Sequence, residues 1–198
     1  TTMNENYTHP EIIKGQEKNI IKGMYLYKQG KKGNKRVQLM SSGSILLEAI
    51  EAAKILSSDY DIQADIWSCP SFNELKREGD EVTRWNLLHP EMESRVSYVT
   101  KCLENTKGPV IASTDYVKLF ADQIRAYVPR SYTVLGTDGY GRSDSREALR
   151  NHFEVDRYYI TIASLKALTE DGEISKKIVK SAIKKFNINP EKNNPLLA

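Results

Sequence analysis

The sequence predicts an α/β fold, a mostly parallel sheet between layers of helices. Three observations predict it. Short runs rich in β-branched or aromatic residues alternate with longer segments whose apolar residues recur at helical spacing. Each short run ends in, or is followed at once by, Ser or Gly, the punctuation of a strand passing into a loop. The most polar stretches follow those runs, at the carboxyl ends of the strands, where open α/β sheets bind ligands. Alternation of this kind implies a sheet covered on both faces.

The elements follow in order. Glu17 to Lys28 reads as a lone helix carrying Ile20, Ile21, Met24 and Leu26. The basic run Lys28 to Arg36 has the charge of a phosphate-binding loop but reads better as a solvated turn: Gly30, Gly33 and Asn34 break it, and no aromatic interleaves to stack a base. Arg36 to Met40 is the first strand expected. A helix after Gly43 carries Ile45, Ala49, Ala52, Ala53 and Leu56, with Ser44 as its N-cap and Glu48 near the positive end of its dipole. Ile62 to Ser68 is the second strand, Pro109 to Ser113 the third and Tyr132 to Gly136 the fourth. Between them, Val96, Val99, Cys102 and Leu103 make one helical face. Val117, Phe120, Ala121 and Ile124 make another, stopped before Pro129. Ser145 caps a short helix carrying Ala148, Leu149 and His152. Two helices close the chain: Arg157 to Thr169, ended by Gly172, and one from Ser175 carrying Ile178, Val179, Ala182, Ile183 and Phe186.

Composition narrows the function classes. A chain of 198 residues that is 39% apolar and 28% charged is globular, and its net charge of +3 does not mark a nucleic-acid binder. No run approaches the roughly 20 apolar residues of a membrane span, and no signal peptide is readable. The opening Thr-Thr-Met suggests a piece of something longer. Cys69 and Cys102 are the only cysteines, too few for a disulfide framework or a zinc site, and fit a reduced, cytoplasmic setting. His9, His89 and His152 stand far apart and give no dyad.

Two regions invite a functional reading. The first is the strand-end crevice, with Ser42, Gly43, Ser44, Thr114, Asp115 and Asp138 as candidate residues. A Gly-containing turn into a helix N-terminus offers free N–H groups to an anion, although Ser-Gly-Ser is also ordinary chemistry for a βα loop. The second is the loop Gly136 to Arg146, dense in Arg, Asp and Gly, with Tyr140, Arg142, Ser143, Asp144 and Arg146 as candidates for an interface. Its charges are matched, and no nucleophile–base pair stands among them. Dinucleotide, Walker and nucleophile-elbow motifs are missing: Gly139-Tyr140-Gly141 is followed by Arg142, Ser143 and Asp144.

The same loop opens a specific resemblance. Gly-Thr-Asp-Gly-Tyr-Gly-Arg-Ser-Asp-Ser-Arg-Glu-Ala-Leu-Arg-Asn-His-Phe-Glu-Val-Asp at 136–156 resembles the hallmark segment of the homodimeric-type pyruvate dehydrogenase decarboxylating component. Thr-Thr-Met-Asn-Glu-Asn-Tyr at 1–7 is similar to the junction after that family's middle domain. Ser-Gly-Ser-Ile at 42–45, Ser-Phe-Asn-Glu-Leu at 71–75 and Arg-Trp-Asn-Leu-Leu-His-Pro at 84–90 agree. So do Ala-Ser-Thr-Asp-Tyr-Val-Lys-Leu-Phe-Ala at 112–121 and Asn-Pro-Leu-Leu-Ala at 194–198. The resemblance implies a transketolase-type C-terminal domain with a five-stranded mixed sheet, four strands parallel and one antiparallel. It divides the chain into residues 1–30, a segment and helix leading from a middle domain, and residues 31–198, the α/β domain itself.

The resemblance further implies a homodimeric parent that decarboxylates pyruvate and reductively acetylates lipoyl groups on a dihydrolipoyl acetyltransferase component. Its thiamine diphosphate and magnesium lie between domains this chain does not contain. Thr137-Asp138-Gly139 lacks the first glycine of the family's cofactor signature, and Asn193-Asn194 lies too far away to complete it. No catalytic, cofactor-binding or metal residue is therefore carried over to this chain, and neither nucleic acid nor membrane is an expected partner. The competing expectation is a free-standing α/β module that binds a small anion in the crevice.

Overall fold

A computed structural model describes Glu11 and residues 14–197. The junction motif at 1–7, His9 and the final Ala198 lie outside the described residues. Five strands form one sheet in the order β1-β3-β2-β4-β5, with β1 Tyr25–Lys28, β2 Arg36–Ser41, β3 Gln63–Ser68, β4 Val110–Ser113 and β5 Tyr132–Leu135. β1 runs antiparallel to β3, and the other three pairings are parallel. The fifth, antiparallel strand implied by the resemblance is β1.

That strand corrects the first helix. The expected helix Glu17–Lys28 divides into α1, Glu17–Ile21, and β1, separated by Gly23 at φ +99°. Only glycine fits there: a side chain would strain the positive φ, and its Cβ would stand 2.6 Å from the Ser71 carbonyl. Ile20, Ile21, Met24 and Leu26 mimic a helical stripe, yet Met24 and Leu26 belong to the apolar cluster beside β3. The sheet therefore begins on the N-terminal side of the expected division at residue 30.

The two faces of the sheet sort by strand alternation. Val37, Leu39 and Ile111 point into one cluster with α2 (Ile45–Tyr60), α7 (Arg157–Glu170) and α8 (Lys176–Lys185). Met40, Val110 and Ala112 point into the other. There they meet α3 (Phe72–Leu88), α4 (Tyr98–Leu103) and α5 (Lys118–Asp122). A short helix, α6 (Arg146–His152), leads into α7. α3 was not expected from the pattern, because few of its residues are apolar and only Phe72, Leu75 and Gly79 are buried. Its start is nonetheless signed by Ser71, whose side chain accepts from Glu74 N at 3.1 Å.

The basic turn before β2 is pinned from below. Asp65, 6% exposed, accepts from Gly30 N at 2.9 Å and from Gln38 Nε2 at 2.8 Å, and pairs with Arg36. Gln38 Oε1 in turn accepts from Trp67 Nε1 at 2.8 Å. The buried polar groups thus satisfy one another, while Lys31, Lys32, Gly33 and Asn34 stay exposed as a turn should.

Candidate functional site

The carboxyl ends of β2, β4 and β5 place the two candidate regions side by side. A cleft of ≈ 370 Å³ is bounded by Ser44, Asp115, Thr137, Gly139, Gly141, Arg142, Arg146 and Arg150, over a floor of Ile45, Leu149, Phe153 and Val155. Of the candidates in the crevice, Ser44 and Asp115 line it; of those in the loop, Arg142 and Arg146 do. Gly43 stands beside it at φ +53°, where a Cβ would sit 3.5 Å from the Asp115 carboxylate.

The other candidates lie elsewhere. Ser42 and Thr114 turn toward a neighbouring hollow with Cys69, Pro70 and Phe72, and Ser42 Oγ donates to Thr114 Oγ1 at 2.8 Å. Asp138 accepts from Lys118 N at 2.8 Å and tethers the start of α5. Asp144 accepts from Ser145 N at 2.7 Å, and Ser145 caps α6 by accepting from Ala148 N at 3.3 Å. Tyr140 is 85% exposed, and Ser143 is exposed as well.

The expected cap at Ser44 is corrected. Its backbone is already helical, at φ −69° and ψ −20°, and its side chain makes no capping bond. The hydroxyl instead donates to Asp115 Oδ2 and accepts from Arg150 Nη2, both at 3.3 Å. The positive end of α2 is met by the chain's own carboxylates, Asp115 from above and Glu48 from within the first turn.

Glu48 is the group that sequence reasoning undervalued. It is 3% exposed and binds two arginines, Arg150 inside the hallmark segment and Arg157 just beyond it. Arg150 Nη1 donates to Oε1 at 2.8 Å. Arg157 donates three times, from its backbone N to Oε2 at 3.0 Å, from Nε to Oε2 at 2.8 Å and from Nη2 to Oε1 at 3.0 Å. Burial pushes the Glu48 carboxyl upward, but the bonds and charge of Arg157, with the charge of Arg150, hold it below the ordinary glutamate value. The available signal was position: Glu48 follows Ile45 by three residues and precedes Ala52 by four, which puts a carboxylate on an apolar stripe and demands a cation.

Asp156 completes the arrangement. Its side chain caps α7, accepting from Tyr158 N at 2.8 Å and Tyr159 N at 3.0 Å. Burial first, and the nearby charge of Glu48, push its carboxyl above the ordinary aspartate value against those bonds. His152 sits beside Phe153 with its Nε2 shielded and unpartnered among the described residues. Burial, then the charges of Arg142 and Lys192, hold its pKa below the ordinary histidine value.

This geometry is made to hold segments together. The hydroxyls of Ser41 and Ser113 bond each other at 2.5 Å, as Ser42 and Thr114 do, so no base activates them. Among the described residues no group of three or more His, Cys, Asp or Glu side chains could hold a metal ion. The Asp138 carboxylate, nearest to a cofactor signature, is committed to Lys118. The residues present do not fit thiamine diphosphate with magnesium, and no chemical step is assigned to them. Both thiols are free; Cys69 is buried, which raises its pKa, and Cys102 is half-buried.

The sheet order, the single antiparallel edge strand and the helices on both faces define a three-layer α/β domain. The chain belongs to the transketolase-like TK C-terminal domain family, whose model matches residues 23–156. It is 58% identical over 198 residues to the pyruvate dehydrogenase E1 component of Pseudomonas aeruginosa, covering 99% of this chain and 22% of that protein. The E1 component of Cupriavidus necator is 56% identical with the same coverage. That of Escherichia coli K12 is 52% identical over 201 residues, covering 100% of this chain and 22% of its own length. The chain therefore spans about a fifth of the length of these relatives, at 22%. Among solved structures it resembles transketolase from Leishmania mexicana, with a TM-score of 0.51, 18% identity, and 77% of this chain and 19% of that one covered. The Pichia stipitis transketolase complex with sedoheptulose-7-phosphate gives a TM-score of 0.52, 17% identity, and 80% and 21% coverage. At such identities the structural likeness speaks for the fold alone. No helix among the described residues is long and apolar enough to cross a membrane.

Proposed function

We propose that this chain is the C-terminal domain of a bacterial pyruvate dehydrogenase E1 component. The observation that carries the reading is 52–58% identity, along the whole chain, to proteins of that name. The parent decarboxylates pyruvate and passes the acetyl group to lipoyl groups of a dihydrolipoyl acetyltransferase, as a cytoplasmic homodimer. Thiamine diphosphate and magnesium supply the electron sink and its anchoring, in domains outside this chain. The segment ahead of β1 links this domain to the middle domain.

Within that parent the domain assembles rather than reacts. The Glu48 ion cluster locks α6 and α7 onto α2, and so fixes where the loop Gly139 to Arg146 emerges. Tyr140, Arg142, Ser143, Asp144 and Arg146 then present that loop to other parts of the enzyme.

The full-length gene product tests the reading. It should release carbon dioxide from pyruvate only with thiamine diphosphate and a divalent cation. This chain alone, titrated calorimetrically with the same pair, should show no saturable binding. A full-length product that turns over a ketose phosphate and not pyruvate would refute the assignment.

A further inference from the structure

We propose that the groove between α7 and α8 is a binding site for an acidic amphipathic helix of a partner protein. Carboxylates one turn apart on that helix meet Lys176 and Lys180, and its apolar side chains fill the groove. The inference goes beyond the assigned reaction and holds whether or not the parent acts on pyruvate.

α8 carries its charge against the stability of its own helix. Five of its ten residues are lysines and none is acidic. Lys176 and Lys177 stand in the first turn, at the positive end of the helix dipole, where a cation is unfavourable. Lys176, Lys180 and Lys184 follow at four-residue spacing, so like charges are neighbours along one stripe. Helices elsewhere match their cations at such spacings, as Lys54 with Glu51 and Lys76 with Asp80. On α8, Lys185 pairs with Asp59 at 2.8 Å. The ammonium groups of Lys176, Lys177, Lys180 and Lys184 have no hydrogen bond or ion pair among the described residues. A local rule broken without gain to the fold marks a functional position.

Two of these lysines border a groove of ≈ 870 Å³. It runs between Lys166 and Thr169 of α7 and Lys176 and Lys180 of α8, with Val179 and Ile183 on its wall. Val179 and Ile183 are half-buried and one helical turn apart. Glu170, the acid on the wall from α7, is taken by Lys166. Cations along an apolar trough select an amphipathic helix whose carboxylates meet the ammonium groups while its apolar stripe enters the groove. Nucleic acid fits less well, because α8 has neither arginine to grip phosphates nor an aromatic residue to stack bases. A membrane fits less well, because no large apolar side chain of α8 is exposed to enter it. A second copy related by a two-fold axis would set lysines against lysines.

The test uses the full-length protein and a synthetic, fluorescein-labelled helical peptide with glutamates four residues apart beside a leucine stripe. Fluorescence anisotropy should show saturable binding that weakens about tenfold when Lys176→Glu and Lys180→Glu are combined. An acid at 176 suits the helix dipole and one at 180 faces Lys184, so this variant keeps its fold. Pulse acetylation, mapped by peptide mass, should modify Lys176 and Lys180 in the free protein and spare them in the complex. Equal binding of a scrambled peptide of the same composition would overturn the proposal, because charge alone would then explain it. Tighter binding of duplex DNA or of phosphatidylglycerol vesicles, or no peptide binding at all, would overturn it as well. So would lysines already protected in the free full-length protein, because the parent itself would then fill the groove.

Discussion

Arginines of one stretch of sequence, Arg142 on one side and Arg150 and Arg157 on the other, have surroundings that differ in nearly everything physical. In the cluster around Glu48, a carboxylate only 3% exposed meets Arg150 and Arg157 through four bonds of 2.8–3.0 Å. In the loop before α6, Arg142 and Asp144 are both exposed, and Asp144 turns to a backbone N–H rather than to an arginine. The loop is the more conspicuous in sequence because its charges crowd together. The cluster is the stronger in energy because its carboxylate is out of water and depends on the two arginines for its partners. Density of charge is visible in a sequence; desolvation is made by residues a hundred positions away.

The largest effect should come from breaking the cluster. Glu48→Ala removes the shared partner of two guanidinium groups; with Arg157 38% exposed and able to turn to water, the cost should be about 2–3 kcal/mol, read as a lower urea midpoint at unchanged slope. A loss as small as that of an exposed pair would show that the cluster is hydrated in solution.

The same site gives a pH signature of opposite signs. Glu48 titrates below its ordinary value of 4.5 in the folded protein, so its contribution is full above that value and is lost as pH falls through the folded one. Asp156 titrates above its ordinary 3.8, so its ionisation weakens the fold as pH rises through the folded value. Glu48→Gln should flatten the loss of stability toward acid, and Asp156→Asn should steepen it. Denaturation midpoints followed from neutral to acid pH would separate the two; equal slopes would mean the carboxylates do not differ.

How much was legible follows from the same contrast. The four parallel strands could be read because each is a short β-rich run closed by turn residues, and the helices α2, α6, α7 and α8 because their stripes and stops are local. β1 was hidden: Met24 and Leu26 continue the helical spacing of Ile20 and Ile21, and only the contact of Gly23 with Ser71 ends it. α3 was hidden by its sparse apolar stripe, as Phe72, Leu75 and Gly79 are its only buried residues. Of the site, Ser44, Asp115, Arg142 and Arg146 were named from the sequence and do share a cleft. Glu48 was seen only as a dipole partner, since its arginines lie 102 and 109 residues further along the chain.

Smaller effects test the edges of the comparison. Asp156→Ala removes a cap that serves two backbone N–H groups and should cost about 1–2 kcal/mol in the same denaturation experiment. Ser44→Ala should cost only about 0.5 kcal/mol, because that hydroxyl caps nothing and its two bonds are long, at 3.3 Å. A cost near that of Asp156→Ala would mean that the serine caps α2 in solution after all.

Arg142→Ala should have the smallest effect on the fold. The side chain is exposed and bonds to nothing among the described residues, so removing it strands no partner. Surface changes of this kind stay within about ±0.5 kcal/mol. Arg150→Ala, eight positions on, takes a bond from a buried carboxylate and should cost several times more. The urea midpoints of the two variants, measured side by side, set the contrast between loop and cluster in one experiment. Sedimentation of the full-length protein supplies the other half. If the loop serves assembly, Arg142→Ala should weaken subunit or domain association while leaving the midpoint of this domain unmoved. Equal midpoint losses for the two arginines would break the comparison, because the loop would then be part of the fold's own support. An unchanged midpoint with unchanged association would leave the loop's charge without a role in either.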